Sequence, residues 1–285
     1  MPTPCYVAID IGGTKTIVAA MSAERELLER RRIDTPLTPQ EGLSAIAALV
    51  SEVAAGRAIR GMGVSAGGPL EYRTGVISPL NLPKWRNVPV KAALEDRFGT
   101  AVSVDVDTNA AALAEFRFAS PECTRLLYVT VSTGVGGGFI LDGSIYRGGQ
   151  GSHPEVGHQA IPARIPRGGS VRCACGAAGC LEAIVSGAAI QKIYGVTADK
   201  LSTAQWDEVA YNLGQGLRNM AVIYAPSLIA LGGGVTIGGG QRFLEGARAV
   251  VQEELKIVPL PEIKVSALGY DTALFGALAL AMQAG

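Results

Sequence analysis

The chain carries one local plan twice: an apolar strand runs into a turn of Gly, Thr or Ser and returns at once as a second strand. Residues 6–11 read as a buried strand, Gly12-Gly13 as a tight turn, and residues 16–21 as the returning strand. Residues 126–132 repeat the pattern, pass into Thr133-Gly134-Val135-Gly136-Gly137-Gly138, and return through residues 139–141 to the turn Asp142-Gly143. A duplicated plan of this kind predicts two lobes. With 285 residues, 48% of them apolar, the chain can build a core for each.

The rest alternates strands with helices, which makes the class α/β. A third strand is expected near residues 26–33, and the spacing of Leu43, Ile46, Leu49, Val50 and Val53 predicts a helix over residues 40–55, stopped by Gly56. Residues 59–65 read as a strand, 90–98 as a helix, 101–106 as a strand and 108–118 as an Ala-rich helix in which the chain crosses from one lobe to the other. Helices follow through residue 224, a strand over 227–231 meets Gly232-Gly233-Gly234, and a last helix covers 272–282. Residues 148–179 shift to Gly, Pro, Arg and Cys, the composition of a long functional loop held by something other than a core.

Charge narrows the partners. Twenty-five basic and twenty-five acidic side chains cancel, and no Lys/Arg block stands out, so neither nucleic acid nor an anionic membrane is expected as a partner. The N-terminus has no signal-peptide pattern and the apolar runs are too short to span a bilayer, which predicts a cytoplasmic protein acting on a small molecule. Of five cysteines, Cys173, Cys175 and Cys180 crowd into eight residues, a spacing that suits metal binding in a reducing compartment better than disulfides.

Phosphate chains are held by backbone N–H groups that approach closely, and glycine permits the approach. Asp10-Ile11-Gly12-Gly13-Thr14-Lys15 offers amides, a hydroxyl and a carboxylate able to hold Mg²⁺; the turn at Thr133 and Gly134 offers a second set. Either one alone could be only a hairpin turn. Neither is a Walker A sequence. Gly61-Met62-Gly63-Val64-Ser65-Ala66 fits a dinucleotide pattern, but Gly67-Gly68-Pro69 follows in place of a helix, so an NAD-dependent dehydrogenase is the weaker enzyme reading. Asp107, at the end of a strand and the head of a helix, is placed to receive a substrate hydroxyl, with helix capping as the alternative. Asp105 is expected to point elsewhere. One of two histidines, with Cys173, Cys175 and Cys180, matches a four-coordinate structural zinc site. His158 beside Gly157 suits it better than His153 before a stiff proline, and Glu155 and Glu182 flank the segment as acceptors for a polyol.

Together these segments resemble the ROK (repressor/ORF/kinase) family. The resemblance rests on Asp10-Ile11-Gly12-Gly13-Thr14-Lys15, Gly63-Val64-Ser65-Ala66-Gly67-Gly68-Pro69, Asn81-Leu82-Pro83-Lys84-Trp85, Asp107-Thr108-Asn109, Cys173-x-Cys175-Gly176-x-x-Gly179-Cys180-x-Glu182 and Leu231-Gly232-Gly233-Gly234-Val235. It implies an actin-like/hexokinase-like (ribonuclease H-like) duplicated fold: a small lobe of residues 1–112 completed by a helix in 271–285, a large lobe of 113–270, and a cleft between them. It implies an ATP-dependent sugar kinase with Asp107 as the base. Gly68, Asn81, Glu155, His158 and Glu182 would line the sugar site, His158 also serving the zinc. Asp10, Gly12, Gly13, Thr14 and Lys15, then Thr133 and Gly134, then Gly233 and Gly234, would hold ATP with Mg²⁺, and a homodimer is implied.

Two departures bear on the sugar. Val106 stands where the family has Asn before its catalytic Asp, and His153-Pro154-Glu155 resembles the fructokinase branch. Fructose or a related hexose is therefore favoured over glucose, mannose or an N-acetylated hexosamine. The spacing from His158 to Cys173 is longer than the family's, which predicts a looser metal loop. With the phosphate turn starting at residue 10, no room is expected for the DNA-binding domain of family repressors; a catalytically silent sugar-binding regulator is the remaining alternative.

Overall fold

Unbroken apolar runs make the central strands of two five-stranded sheets. In the computed structural model, which describes residues 3–166 and 168–285, the chain divides into one unit of Met1–Arg117 with Asp271–Gly285 and a second of Phe118–Tyr270. The change of unit lies inside the helix expected to carry it, past residues 112–113.

The first unit opens with an antiparallel meander, β1 (Cys5–Ile11), β2 (Lys15–Met21) and β3 (Leu27–Asp34). It continues with α1 (Pro39–Ala54), β4 (Ile59–Ala66), a small sheet of β5 (Leu70–Glu71), β6 (Val76–Ile77) and β7 (Val88–Pro89), then α2 (Val90–Phe98), β8 (Val102–Val106) and α3 (Asp107–Ala119). The main sheet runs β3-β2-β1-β4-β8, with β4 parallel to both β1 and β8. The Thr38 side chain caps α1 by accepting the Glu41 N–H, and the helix stops where Ala55 and Gly56 take positive φ.

Alternation divides this sheet into two faces. Val7, Ile9, Ile11, Met62 and Val64 pack with Ile46, Val50 and Val53 of α1 in a buried core. On the other face the C-terminal helix, Thr272–Ala284, lies so close that a β-carbon at Gly63 would run into the backbone at Ala277. Gly61 and Gly63 are thus needed for helix–sheet contact inside β4, and the dinucleotide pattern they resemble has no strand–turn–helix to serve.

The second unit repeats the plan with β9 (Arg125–Val131), β10 (Val135–Leu141) and β11 (Ser144–Ile145), then α4 (Glu182–Val185), α5 (Gly187–Tyr194), α6 (Thr203–Tyr224), β12 (Leu228–Gly232), α7 (Gly234–Glu254) and β13 (Glu262–Val265). Its order, β11-β10-β9-β12-β13, matches the first sheet: an antiparallel meander, then strands parallel to its first member. Leu127, Val129, Ile229 and Leu231 pack against Leu213 and Leu217 of α6 and Phe243 of α7.

One expectation is corrected here. Gly136, Gly137 and Gly138 belong to β10, paired with Thr130, Val129 and Tyr128, so the second turn shrinks to Ser132-Thr133-Gly134. Gly137 is small for packing: a β-carbon there would meet Val156 Cγ2 at 2.7 Å. No helix among the described residues is long and apolar enough to cross a membrane.

Candidate active site

In the first unit Ile11, Ala66 and Val106 lie side by side, so β1, β4 and β8 end flush. Gly12, Gly67 and Asp107 follow them beyond one carboxyl edge, where open α/β sheets bind ligands. Asp107 opens α3 and is exposed, its Oδ1 accepting the Thr108 N–H at 2.8 Å. Asp105 is 1% exposed and accepts the Asn109 side-chain amide at 2.9 Å and the Val106 N–H at 2.8 Å. Alternation would put residues two apart on the same face; the change from strand to helix at Asp107 is what separates them. Val106 is buried.

The first glycine turn closes with the Gly12 N–H donating to Lys15 O at 3.0 Å and leaves Thr14 and Lys15 exposed. A residue with no signal in the sequence holds it. Thr35, just past β3, donates its hydroxyl to Gly12 O at 2.8 Å, pairs with the Thr16 hydroxyl at 2.9 Å and gives its N–H to Thr14 O at 3.0 Å. Asn81 lies against both glycine segments, its side chain contacting the Cβ positions of Gly13 and Gly67. Its loop is gathered by Arg86, which donates to the carbonyls of Pro79, Leu82 and Trp85, and pinned by buried Trp85, whose indole donates to Pro36 O at 3.0 Å. The Gly68 carbonyl accepts the Leu80 N–H at 3.0 Å, and the Gly68–Pro69 bond is cis.

Asp10 sits across the sheet from Ser65, which is itself opposite Asp105. Burial and the charge of Asp107 push the Asp10 carboxyl up to about 7, against the opposing pull of the Ser65 hydroxyl and Arg30. Two neighbouring carboxylates with this little compensation make a place suited to a cation.

In the second unit the turn Ser132–Gly134 and the glycines after β12 share the equivalent edge, because Gly232 pairs with Thr130. Gly233 has φ 89° and abuts the Val131 carbonyl, a place no β-carbon fits, and Gly234 begins α7. Ser132 N–H donates to Gly134 O at 2.9 Å to close the turn. Glu182, expected among the sugar ligands, has Oε2 on the Val135 N–H at 3.0 Å. Glu155 is exposed between both histidines, 3.3 Å from His153 Nε2 and 3.9 Å from His158 Nε2.

The other ring nitrogen of His158 faces the cysteines. His158, Cys173, Cys175 and Cys180 bring one ligand atom each within 4.8 Å of the others, and His153 is outside the group. Cys173 Sγ to His158 Nδ1 is 3.6 Å and Cys175 Sγ to Cys180 Sγ is 3.6 Å. A tetrahedral ion with zinc-like bonds would set these edges at about 3.6 Å and about 3.8 Å, so the donor set fits such a metal. The long segment between His158 and Cys173 is tied down by Asn212 of α6, which accepts the Arg164 N–H and donates to its carbonyl, each at 2.7 Å. The expected looser metal loop is therefore clamped at Arg164.

Comparison with known proteins agrees with this layout. The model of the ROK family matches residues 6–284. The fructokinase of Zymomonas mobilis is 32% identical, over 98% of this chain and 97% of its own length. The glucokinase of Halalkalibacterium halodurans is 29% identical, over 95% and 93%. The ROK hexokinase of Thermus thermophilus superposes with a TM-score of 0.84 at 30% identity, covering 98% of both chains. A ROK glucokinase of Streptomyces griseus, solved with glucose and AMPPNP, superposes at 0.78 with 28% identity, covering 98% of this chain and 99% of its own. The chain belongs to the ROK family and has its actin-like/hexokinase-like fold.

Proposed function

We propose that this protein is an ATP-dependent hexose kinase in which Asp107 takes the proton of a sugar hydroxyl. As the proton passes to Asp107, the hydroxyl oxygen forms its bond to the γ-phosphorus, the bond from that phosphorus to the β-phosphate oxygen breaks, and ADP leaves. The observation that carries this reading is the exposed Asp107 at the flush edge of β1, β4 and β8, beside a glycine turn, while Asp105 is consumed by hydrogen bonds. The names of the relatives support the same chemistry.

Gly12, Gly13, Thr14 and Lys15 are assigned to one part of the triphosphate, Thr133 and Gly134 to another, and Gly233 and Gly234 to the adenosine side. Asp10 is assigned to Mg²⁺, which when bound with ATP neutralises phosphate charge. Gly68, Asn81, Glu155, His158 and Glu182 are assigned to the sugar. The His/Cys cluster is read as a closed structural zinc site, with no position left for catalysis. We assign fructose or a related hexose as acceptor, because Val106 offers no side-chain hydrogen bond next to Asp107. A reducing, cytoplasmic setting suits its free cysteines.

The test is ADP release with fructose, glucose, mannose and N-acetylmannosamine. Fructose should give the highest kcat/KM, and Asp107→Ala should lower kcat by about 10²–10⁴. A panel in which no sugar stimulates ADP release, or an active Asp107→Ala protein, would refute the reading.

A further inference from the structure

Glu182 lies two residues beyond the cluster member Cys180, yet its carboxylate is inside the second glycine turn. Its Oε2 accepts the Val135 N–H at 3.0 Å and stands 2.7 Å from where a β-carbon on residue 134 would be, so glycine at that place is what admits it. The same stretch grips the turn again: Ser186 accepts the Ala189 N–H at 3.1 Å to cap α5, and Gly187, the first residue of α5, donates to Ser132 O at 2.6 Å. At its other end Cys180 and Leu181 are fully buried, and the Leu181 N–H donates to Gln159 O at 2.9 Å, next to His158.

The segment from Cys180 to Gly187 is therefore a short strut, with metal-ligand donors at one end and the Ser132–Gly134 turn at the other. Among the described contacts, the carboxylate of Glu182 is the side-chain link to the turn, beside two backbone bonds at the start of α5, Gly187 N–H to Ser132 O and Ala188 N–H to Thr133 O. A carboxylate accepting a backbone amide makes a charge-assisted bond, stronger than a neutral one and sensitive to aim. Cys175 is exposed, and without an ion the turn of Cys173–Cys180 is held by its own Cys173 N–H to Ala177 O and Gly176 N–H to Cys173 O bonds and, at its far end, by the Ile161 N–H on Gly179 O; four donors gathered on an ion would add a constraint on Cys180 and on the direction in which the chain leaves it.

We propose that Glu182 is a positioning residue that couples occupancy of the His158/Cys173/Cys175/Cys180 cluster to the phosphate-binding competence of the Ser132–Gly134 turn. The metal then stabilises nucleotide binding as well as its own loop. This rests on the reading of that turn as a phosphate site.

The experiment is calorimetric titration of a non-hydrolysable ATP analogue with Mg²⁺, in the absence of sugar, into zinc-loaded and chelator-stripped protein, wild type and Glu182→Ala. Omitting sugar removes any contribution of Glu182 as a sugar ligand. Stripping should weaken the wild type about tenfold, the scale of one hydrogen bond to a charged group. Glu182→Ala should already be about tenfold weaker when loaded and should lose little more on stripping. Glu182→Gln, which keeps an acceptor for the Val135 N–H, should recover most of the affinity. Hydrogen exchange of the Val135 amide in the wild type gives a readout independent of any variant's folding: it should accelerate about tenfold on stripping, while β12 amides do not change. Equal affinity in loaded wild type and Glu182→Ala, an undiminished effect of stripping in Glu182→Ala, or a Val135 amide indifferent to metal would each overturn the link. A loaded wild type that binds no analogue would instead sink the kinase reading.

Discussion

Replacing Thr35 by Val tests whether the first glycine turn is built for a ligand or is only a turn. The two side chains are nearly the same shape, so the change removes a hydroxyl without opening a cavity. It deletes the bond from Thr35 Oγ1 to Gly12 O at 2.8 Å, and with it the acceptor for the Thr16 hydroxyl 2.9 Å away, while the Thr35 N–H to Thr14 O bond survives. Thr16 is 0% exposed, so its hydroxyl finds no water in exchange. Leaving a buried polar group unsatisfied costs about 1–3 kcal/mol, and two groups are affected, one of them at the more open turn. A total of about 2–3 kcal/mol follows, which at about 2–4 °C per kcal/mol for a unit of this size lowers Tm by roughly 4–12 °C. Because the lost bond is to the turn itself, KM for ATP should rise about tenfold with the KM for sugar unmoved; Thr35→Ser, which keeps the hydroxyl, should stay near wild type. Scanning calorimetry and steady-state kinetics at saturating sugar measure both. A Thr35→Val protein with wild-type Tm and wild-type KM for ATP would show that the clamp does not set the turn.

Asp10 gives a pH prediction. Its folded pKa, about 7, lies above the ordinary 3.8, so below pH 4 the group is protonated in both states and costs nothing; between about pH 4 and 7 only the unfolded chain gives up the proton, and the stability lost grows to on the order of 2–4 kcal/mol and stays constant above 7. Asp10→Asn should therefore raise Tm at pH 8 and leave it nearly unchanged at pH 4, while abolishing the response to Mg²⁺·ATP. Cys175→Ser should purify with little zinc by elemental analysis and should lose the Tm decrease that a chelator causes in the wild type. Cys175 is exposed, so the loss will trace to the metal and not to the core; Cys123→Ser should retain about one zinc per chain.

Helices and strands with strong periodicity were legible to within a few residues. Val90–Phe98 is the helix read from the sequence, and α1 differs only at its ends, where Ala55 accepts a left-handed conformation before Gly56 does. The misreading at Gly136–Gly138 has a physical cause. Glycine weakens a strand in isolation, so a run of it reads as loop; here sheet pairing on β9 supplies the hydrogen bonds, and the approach of Val156 supplies the reason for a missing side chain. Val156 is 19 residues further along the chain from Gly137, so its approach leaves no local trace.

The candidate site was readable where one short segment carried several chemical groups, as in residues 10–15 and 173–182. It was opaque where the site depends on a contact made at a distance: Thr35 with Gly12 and Asn212 with Arg164 carry no pattern of their own. Asp105 and Asp107 are the same residue type two positions apart, and nothing local tells which is spent on hydrogen bonds.

By itself the sequence determined the duplicated strand–turn–strand plan, the α/β class and the chemical identity of the donors, because periodicity and residue type are local properties that folding preserves. Only the tertiary structure decided that Asp107 stays exposed while Asp105 is buried, that Glu182 reaches into the Ser132–Gly134 turn, and that four donors whose extremes are 22 residues apart close to within 4.8 Å. Those outcomes depend on where strands end in register and on which backbone amides are left without partners, and these are settled by packing between segments distant in the chain.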